Sequence, residues 1–183
     1  TCSGEPVPRY AESVSREVAG LRVGLPREFL NDGVAPDIRA AVENAAGRLE
    51  RAGGRLVPVS LPHAVFGIAT YYLICTAEAA SNLARYDGAQ YGIRAGEADG
   101  LDAMTVRTRH AGFGNEVKRR ILLGTYVLSA GYVDAYYRKA LKARTLIVRD
   151  FEEVFRNCAV VLGPTPPTTA FRLGEKTDDP MSM

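Results

Sequence analysis

The sequence predicts an α/β protein: a short βαβ unit, then a helical layer, then a late strand. Three observations carry that prediction. "LRVGLPREF" and "RLVPVS" are apolar runs of strand length flanking a segment with helical period. The residues after His63 are dominated by long apolar stripes, and "CAVVLGPTPP" returns to a strand-length run that glycine and prolines cut short. At 183 residues, 46% hydrophobic and 24% charged, the composition is that of an ordinary soluble globular chain, and one domain over residues 1–183 is the expectation.

The elements follow in order. The first twenty residues are polar and contain prolines, which suits a loop crossing a surface. A short buried strand is predicted over Leu21 to Leu25, closed by Pro26. From Pro36, the recurrence of Ile38, Val42, Ala45 and Leu49 has helical spacing, and Gly53 and Gly54 stop that helix before a second strand, Arg55 to Ser60. "HAVFGIATYYLICTAEAASNLARY" predicts one long apolar helix ending near Asn82, with "DGAQYG" as the turn after it. "GIRAGEADGLDAM" reads as a flexible connection. Helices then run almost continuously from about Thr105 to Phe155, with Gly131 marking a boundary between two of them. Ala159 to Leu162 is predicted as a buried strand, and ligands in α/β folds favour the loops at the carboxyl ends of such strands. "GEKTDDPMSM" is a polar tail.

Charge and cysteine usage exclude several classes. Lys and Arg total 23 against 21 for Asp and Glu, so no global field draws in nucleic acid. Cys2, Cys75 and Cys158 are odd in number and scattered, with no CxxC pair, which fits a reducing cytoplasm. No uninterrupted run of about eighteen apolar residues is present, so no membrane partner is expected. The start, "TCSGEPVPRYAE", lacks an initiator Met and a targeting pattern and reads as the edge of an internal piece of a longer protein.

Candidate chemistry is sparse. No serine stands in a G-x-S-x-G elbow, His63 and His110 have no metal-ligand spacing, and no Walker-type phosphate loop occurs. His63 is expected to cap or solvate a helix start and His110 to lie exposed among arginines. Arg119 and Arg120 are helical neighbours about a hundred degrees apart, so they are not expected to share a partner. One is expected at the surface and the other inward among Ile121, Leu122 and Leu123. An inward guanidinium needs an anion, because an unpaired buried charge is costly. Either a ligand carboxylate or phosphate supplies it, or Glu116 or Asp134 does so within the fold, and periodicity favours the internal pair. Tyr71 and Tyr72, then Tyr126, Tyr132, Tyr136 and Tyr137, have the spacing of core or helix-interface residues whose hydroxyls seek partners. "GPTPP" is either a rigid loop shaping a pocket or a turn stiffened by prolines.

Three long segments go further. "AEAASNLARYDGAQYG", "GFGNEVKRRILLGTYVLSAGYVDAYYRKA" and "GPTPPTTAFRLGEKTDDP" closely resemble successive segments of the A subunits of the aspartyl/glutamyl-tRNA amidotransferases, which are amidase-signature enzymes. The likeness runs from "RVGLPREF" to the last residue. It implies part of an α/β/α fold around a mixed sheet and a parent enzyme that hydrolyses glutamine. The ammonia would pass to a partner B subunit, where ATP and Mg activate misacylated tRNA, with a small C subunit bracing the two. No cofactor is expected on this segment. The family's lysine and two serines lie in a glycine- and serine-rich segment upstream of the matched region, so no catalytic residue is expected here and the isolated chain is expected to be inactive. By resemblance, Arg120 grips the α-carboxylate of glutamine and Tyr71 helps to hold the substrate, while the acidic residue for the ammonium group falls beyond Met183. This resemblance overturns the internal ion pair at Arg120 and leaves Arg119 at the surface. Gln90 and Val133 depart from the family's usual arginine and tyrosine, away from those contacts. Two alternatives stay open: a stand-alone amidase acting on another amide, and a short non-catalytic interaction protein.

Overall fold

In the computed structural model, residues 4–14, 17–96 and 100–176 are described. Cys2, residues 97–99 of the glycine-rich connection and the tail beyond residue 176 lie outside the described residues. The chain gathers into two units, residues 1–61 with 151–183, and residues 62–150.

In the first unit, a single turn, α1 (Tyr10–Ser13), precedes β1 (Arg22–Pro26), α2 (Pro36–Arg51) and β2 (Arg55–Val59). β1 is central in the order β2-β1-β3, where β3 is Val160–Val161, and both pairings are parallel. The βαβ expectation therefore holds within one residue at each strand boundary. Pro36 opens α2, where a missing N–H costs nothing, and Gly53 at φ +88° follows its end. Pro58 sits in β2, which is an edge of the described sheet and tolerates a residue that cannot donate. The described strands pair parallel throughout, so the antiparallel part of the expected mixed sheet is not among them.

Val23, Pro26, Leu61 and Cys158 are the largest fully buried side chains of this unit. Gly24 leaves the room that Cys158 occupies: a Cβ there would stand 2.7 Å from Cys158 Sγ. The late strand is shorter and less buried than the sequence predicts. Val160 is 41% exposed, although Ala159 N–H and Leu162 N–H still donate to Arg22 and Gly24 carbonyls at 2.9 Å. Being at the edge of the described sheet, it pairs on one side only.

The second unit is helical: α3 (Gly67–Leu83), α4 (Leu101–Gly112), α5 (Asn115–Leu128), a π-helical turn over Val133–Arg138, and α6 (Lys139–Asn157) as far as Asp150. α3 ends one residue from its predicted stop. α4 begins earlier than expected, since Leu101 to Met104 form its first turn after Gly100 at φ +95°. Phe113 and Gly114 break the predicted continuity before α5. Gly131, at φ +85°, does lie between two helical segments. The described part of the expected flexible connection is tied down: Arg94 Nε donates to Gly88 O at 2.8 Å and Ala95 N–H to buried Thr108 Oγ1 at 3.2 Å.

α3 and α5 pack at close range, and Gly124 is the reason. A Cβ on Gly124 would overlap the Thr76 carbonyl and come within 2.7 Å of Ala80 Cβ. The segment Ala64–Leu83, of mean hydropathy 1.3, is long and apolar enough to cross a membrane by length and composition. It carries Glu78 and docks along α5 through Thr76 and Ala80, the behaviour of a helix in a packed layer.

Candidate functional site

The α3–α5 packing positions the two residues singled out from the sequence. Tyr71 lies on α3 and Arg120 on α5, and Arg120 Nη1 donates to the Tyr71 hydroxyl at 3.3 Å. Cys75 is one helical turn beyond Tyr71 and so shares its face, with its Sγ 4.0 Å from the same nitrogen. The Arg120 guanidinium carbon stands 6.0 Å from the Tyr72 ring centroid. Tyr71 and Cys75 then continue into a groove of about 640 Å³ with Ile74, Glu78, Asn82 and Arg144. Such a mainly apolar hollow rimmed by a few polar groups is the usual form of a small-molecule site.

Arg120 is partly buried, its side chain 30% exposed. The hydrogen bonds to Tyr71 and then to Glu116 raise its pKa above the ordinary arginine range despite partial burial, so the guanidinium is charged at any physiological pH. The surroundings differ from expectation. Leu122 is 72% exposed, so the apolar neighbours predicted to enclose an inward arginine do not all do so. Arg119 and Arg120 also share a partner after all. Glu116 Oε2 takes Arg119 Nη1 at 2.9 Å and Oε1 takes Arg120 Nε at 2.8 Å. One carboxylate three and four residues back can reach both, because long side chains bridge the hundred-degree offset. Asp134 instead pairs with Arg138 at 3.0 Å.

The remaining candidates resolve variously. Tyr71, Tyr72, Tyr126, Tyr132 and Tyr136 are exposed by about two-fifths or more, not core, and the rings of the last three gather with centroids 4.5 Å, 5.8 Å and 6.2 Å apart. The hydrogen bond with Tyr132, ahead of partial burial, pushes the Tyr126 phenol up to about 12. His110 is exposed, as expected. His63 makes no side-chain cap; its Nδ1 meets Asp150 Oδ1 at 2.9 Å while its backbone N–H donates to Oδ2 at 2.8 Å. The "GPTPP" segment is held by Ala35 N–H donating to Pro167 O at 2.8 Å, and Gly163 gives room to the Phe29 ring. Sequence reasoning missed Cys75, although its i, i+4 relation to Tyr71 was available. It also missed Glu28, whose carboxylate accepts from Ser60 Oγ at 2.5 Å and Leu61 N–H at 3.0 Å.

Residues 1–183 match the family model described as Amidase. The chain belongs to the amidase family. Within it, the chain is similar to the A subunits of glutamyl-tRNA(Gln) amidotransferases. It is 54% identical over 183 residues to the A subunit of Acidobacterium capsulatum and 52% identical to that of Shouchella clausii, with all of this chain aligned. The crystal structure of the glutamyl-tRNA(Gln) amidotransferase A subunit from Thermotoga maritima superposes with a TM-score of 0.62 at 34% identity, covering 91% of this chain and 31% of that one. The chain spans 38% of the length of the curated relatives it matches. The family resemblance and the amidase-signature fold read from the sequence are thus borne out.

Proposed function

We propose that this chain is the substrate-carboxylate half of a glutaminase subunit in a tRNA-dependent amidotransferase. The carrying observation is the hydrogen bond from Arg120 to Tyr71, a residue that also lines the α3 groove, in a chain more than half identical to amidotransferase A subunits. A permanently charged guanidinium beside a phenol is matched to an α-carboxylate, which it can take bidentately.

In this reading, glutamine is held by its carboxylate while its side-chain amide faces a nucleophilic serine supplied from outside these 183 residues. Attack on the amide carbon forms an acyl-enzyme and releases ammonia; water then frees glutamate. Backbone amides stabilise the oxyanion on the way. The ammonia serves a B subunit, where ATP and Mg activate glutamyl or aspartyl groups on misacylated tRNA, and a C subunit braces the cytoplasmic complex. Among the described residues no group of three or more His, Cys, Asp or Glu could hold a metal ion, and ATP and Mg are assigned to the partner alone. The isolated chain is inactive on this reading.

The test is Arg120→Ala in the full-length protein. Loss of a charge-assisted bidentate contact raises KM for glutamine by about a hundredfold while kcat changes far less. An unchanged KM contradicts the assignment.

A further inference from the structure

What aims the Arg120 side chain is a further question, and its answer rests on the carboxylate reading of that residue. A guanidinium carries five N–H donors and can meet a carboxylate along its side edge, Nε with Nη2, or along its end edge, Nη1 with Nη2. In this protein the Nε–H donates to Glu116 Oε1 at 2.8 Å, and Nη1 points to the Tyr71 hydroxyl at 3.3 Å with Cys75 Sγ at 4.0 Å. Among the described residues, Nη2 has no hydrogen-bond partner. The single Nε–H is therefore taken by Glu116, whereas each Nη carries two N–H groups: Nη1 gives one to Tyr71 and keeps the other, and Nη2 keeps both for a ligand.

We infer that Glu116 is a positioning residue: by holding the Nε–H of Arg120 it fixes the plane of the guanidinium and directs the substrate carboxylate onto the Nη edge next to Tyr71. The bland alternative is a helix-surface pair. Glu116 is half exposed and stands three and four residues before its two arginines, a geometry that by itself does little for a helix. A third possibility is that Glu116 competes with the ligand for Arg120. The three differ in sign: a positioning residue lowers KM, a competitor raises it, and a surface pair leaves it alone.

The test is glutamine kinetics with the full-length protein in its complex, comparing Glu116→Ala, Glu116→Gln, Arg119→Ala and Arg120→Ala, with melting midpoints recorded for each. Glu116→Ala is expected to raise KM about tenfold with kcat within about twofold, since an unfixed but still charged arginine binds less well in the same place. Glu116→Gln keeps an acceptor for the Nε–H and recovers most of that loss. Arg119→Ala removes an equivalent pair from the same carboxylate without touching Arg120 and leaves KM near wild type. If Arg120→Ala raises KM but Glu116→Ala leaves it unchanged or lowers it, the positioning role is overturned and the carboxylate reading stands. If Arg120→Ala itself leaves KM unchanged, both fall. Should Glu116→Ala fail to fold, Glu116→Leu takes its place, since it keeps the bulk of the side chain and removes the acceptor for the Nε–H: a KM raised about tenfold supports the role, and a KM at or below wild type overturns it.

Discussion

Glu28 shows how much one residue can carry without entering the site. Burial alone would raise its carboxyl, but hydrogen bonds from Ser60, from the Leu61 N–H and from Arg27 outweigh it and bring the pKa from 4.5 to about 2. Its side chain is only 20% exposed. A folded-state pKa below the unfolded one means that the stabilisation is complete above about pH 4.5 and is lost as pH falls toward about 2, on the order of 3 kcal/mol in all. Glu28→Gln should therefore lower the melting temperature at neutral pH and flatten its fall between about pH 5 and 2, the span of the two pKa values. Parallel acid-melting curves for the two proteins would contradict this. Asp87 is a smaller case: Ala89 and Gln90 N–H groups, donating to Oδ1 at 2.8 Å and 3.2 Å, hold its carboxyl below the usual range and fix the turn after α3. The hydrogen bonds at Glu28 cross 32 and 33 positions in sequence, and no local pattern announces them.

Between elements, the candidate site exists because α3 and α5 approach closely enough for Tyr71 and Arg120 to touch. Gly124 permits that approach. Gly124→Ala places a methyl group against the Thr76 carbonyl and must push the helices apart or bend one, at a cost of about 2–4 kcal/mol. The same displacement separates Tyr71 from Arg120, so the variant should also raise KM for glutamine; a stable variant with wild-type KM would contradict the role given to this packing. His63 and Asp150 tie the first and last turns of residues 62–150 together through the ring and the backbone N–H. Asp150→Ala leaves that N–H without its acceptor, whereas His63→Ala loses only the ring contacts. The first should destabilise more, by about 1–2 kcal/mol, in thermal melting. Equal melting midpoints for the two variants would count against that tie. What was legible at this level was periodicity. The strand and helix limits around Pro36, Gly53 and Asn82 followed from Pro, Gly and apolar spacing. The early start of α4 was not legible, because "GLDAM" closes the polar, glycine-rich stretch "GIRAGEADGLDAM", while Gly100 before the first turn and the acid at Asp102 in fact open a helix.

Across the molecule, the family emerges from long motifs and the site only from their combination. Helical spacing alone assigns Arg120 to an internal ion pair with Glu116 or Asp134, and the pair with Glu116 is present. It engages one edge of the guanidinium, so the ion pair and a ligand contact are compatible rather than exclusive, which spacing could not reveal. The tyrosines around Gly131 have core-like spacing yet lie exposed, because aromatic spacing on a helix does not distinguish a buried face from a self-stacked exposed one. Phe66, Ile68 and Leu122 are exposed apolar side chains on the helical unit. Activity measurements therefore belong with the full-length protein in its complex.

Whether Arg120 recognises the carboxylate of the amide substrate is decided most directly by comparing glutamine with 4-aminobutanamide, the same amide without the α-carboxylate. Both are given to the full-length wild type and to Arg120→Ala. Wild type is expected to prefer glutamine by at least about a hundredfold in kcat/KM, and Arg120→Ala to abolish most of that preference by losing glutamine alone. Equal preference in both proteins would mean that the carboxylate is read elsewhere and that Arg120 serves only the Glu116 pair.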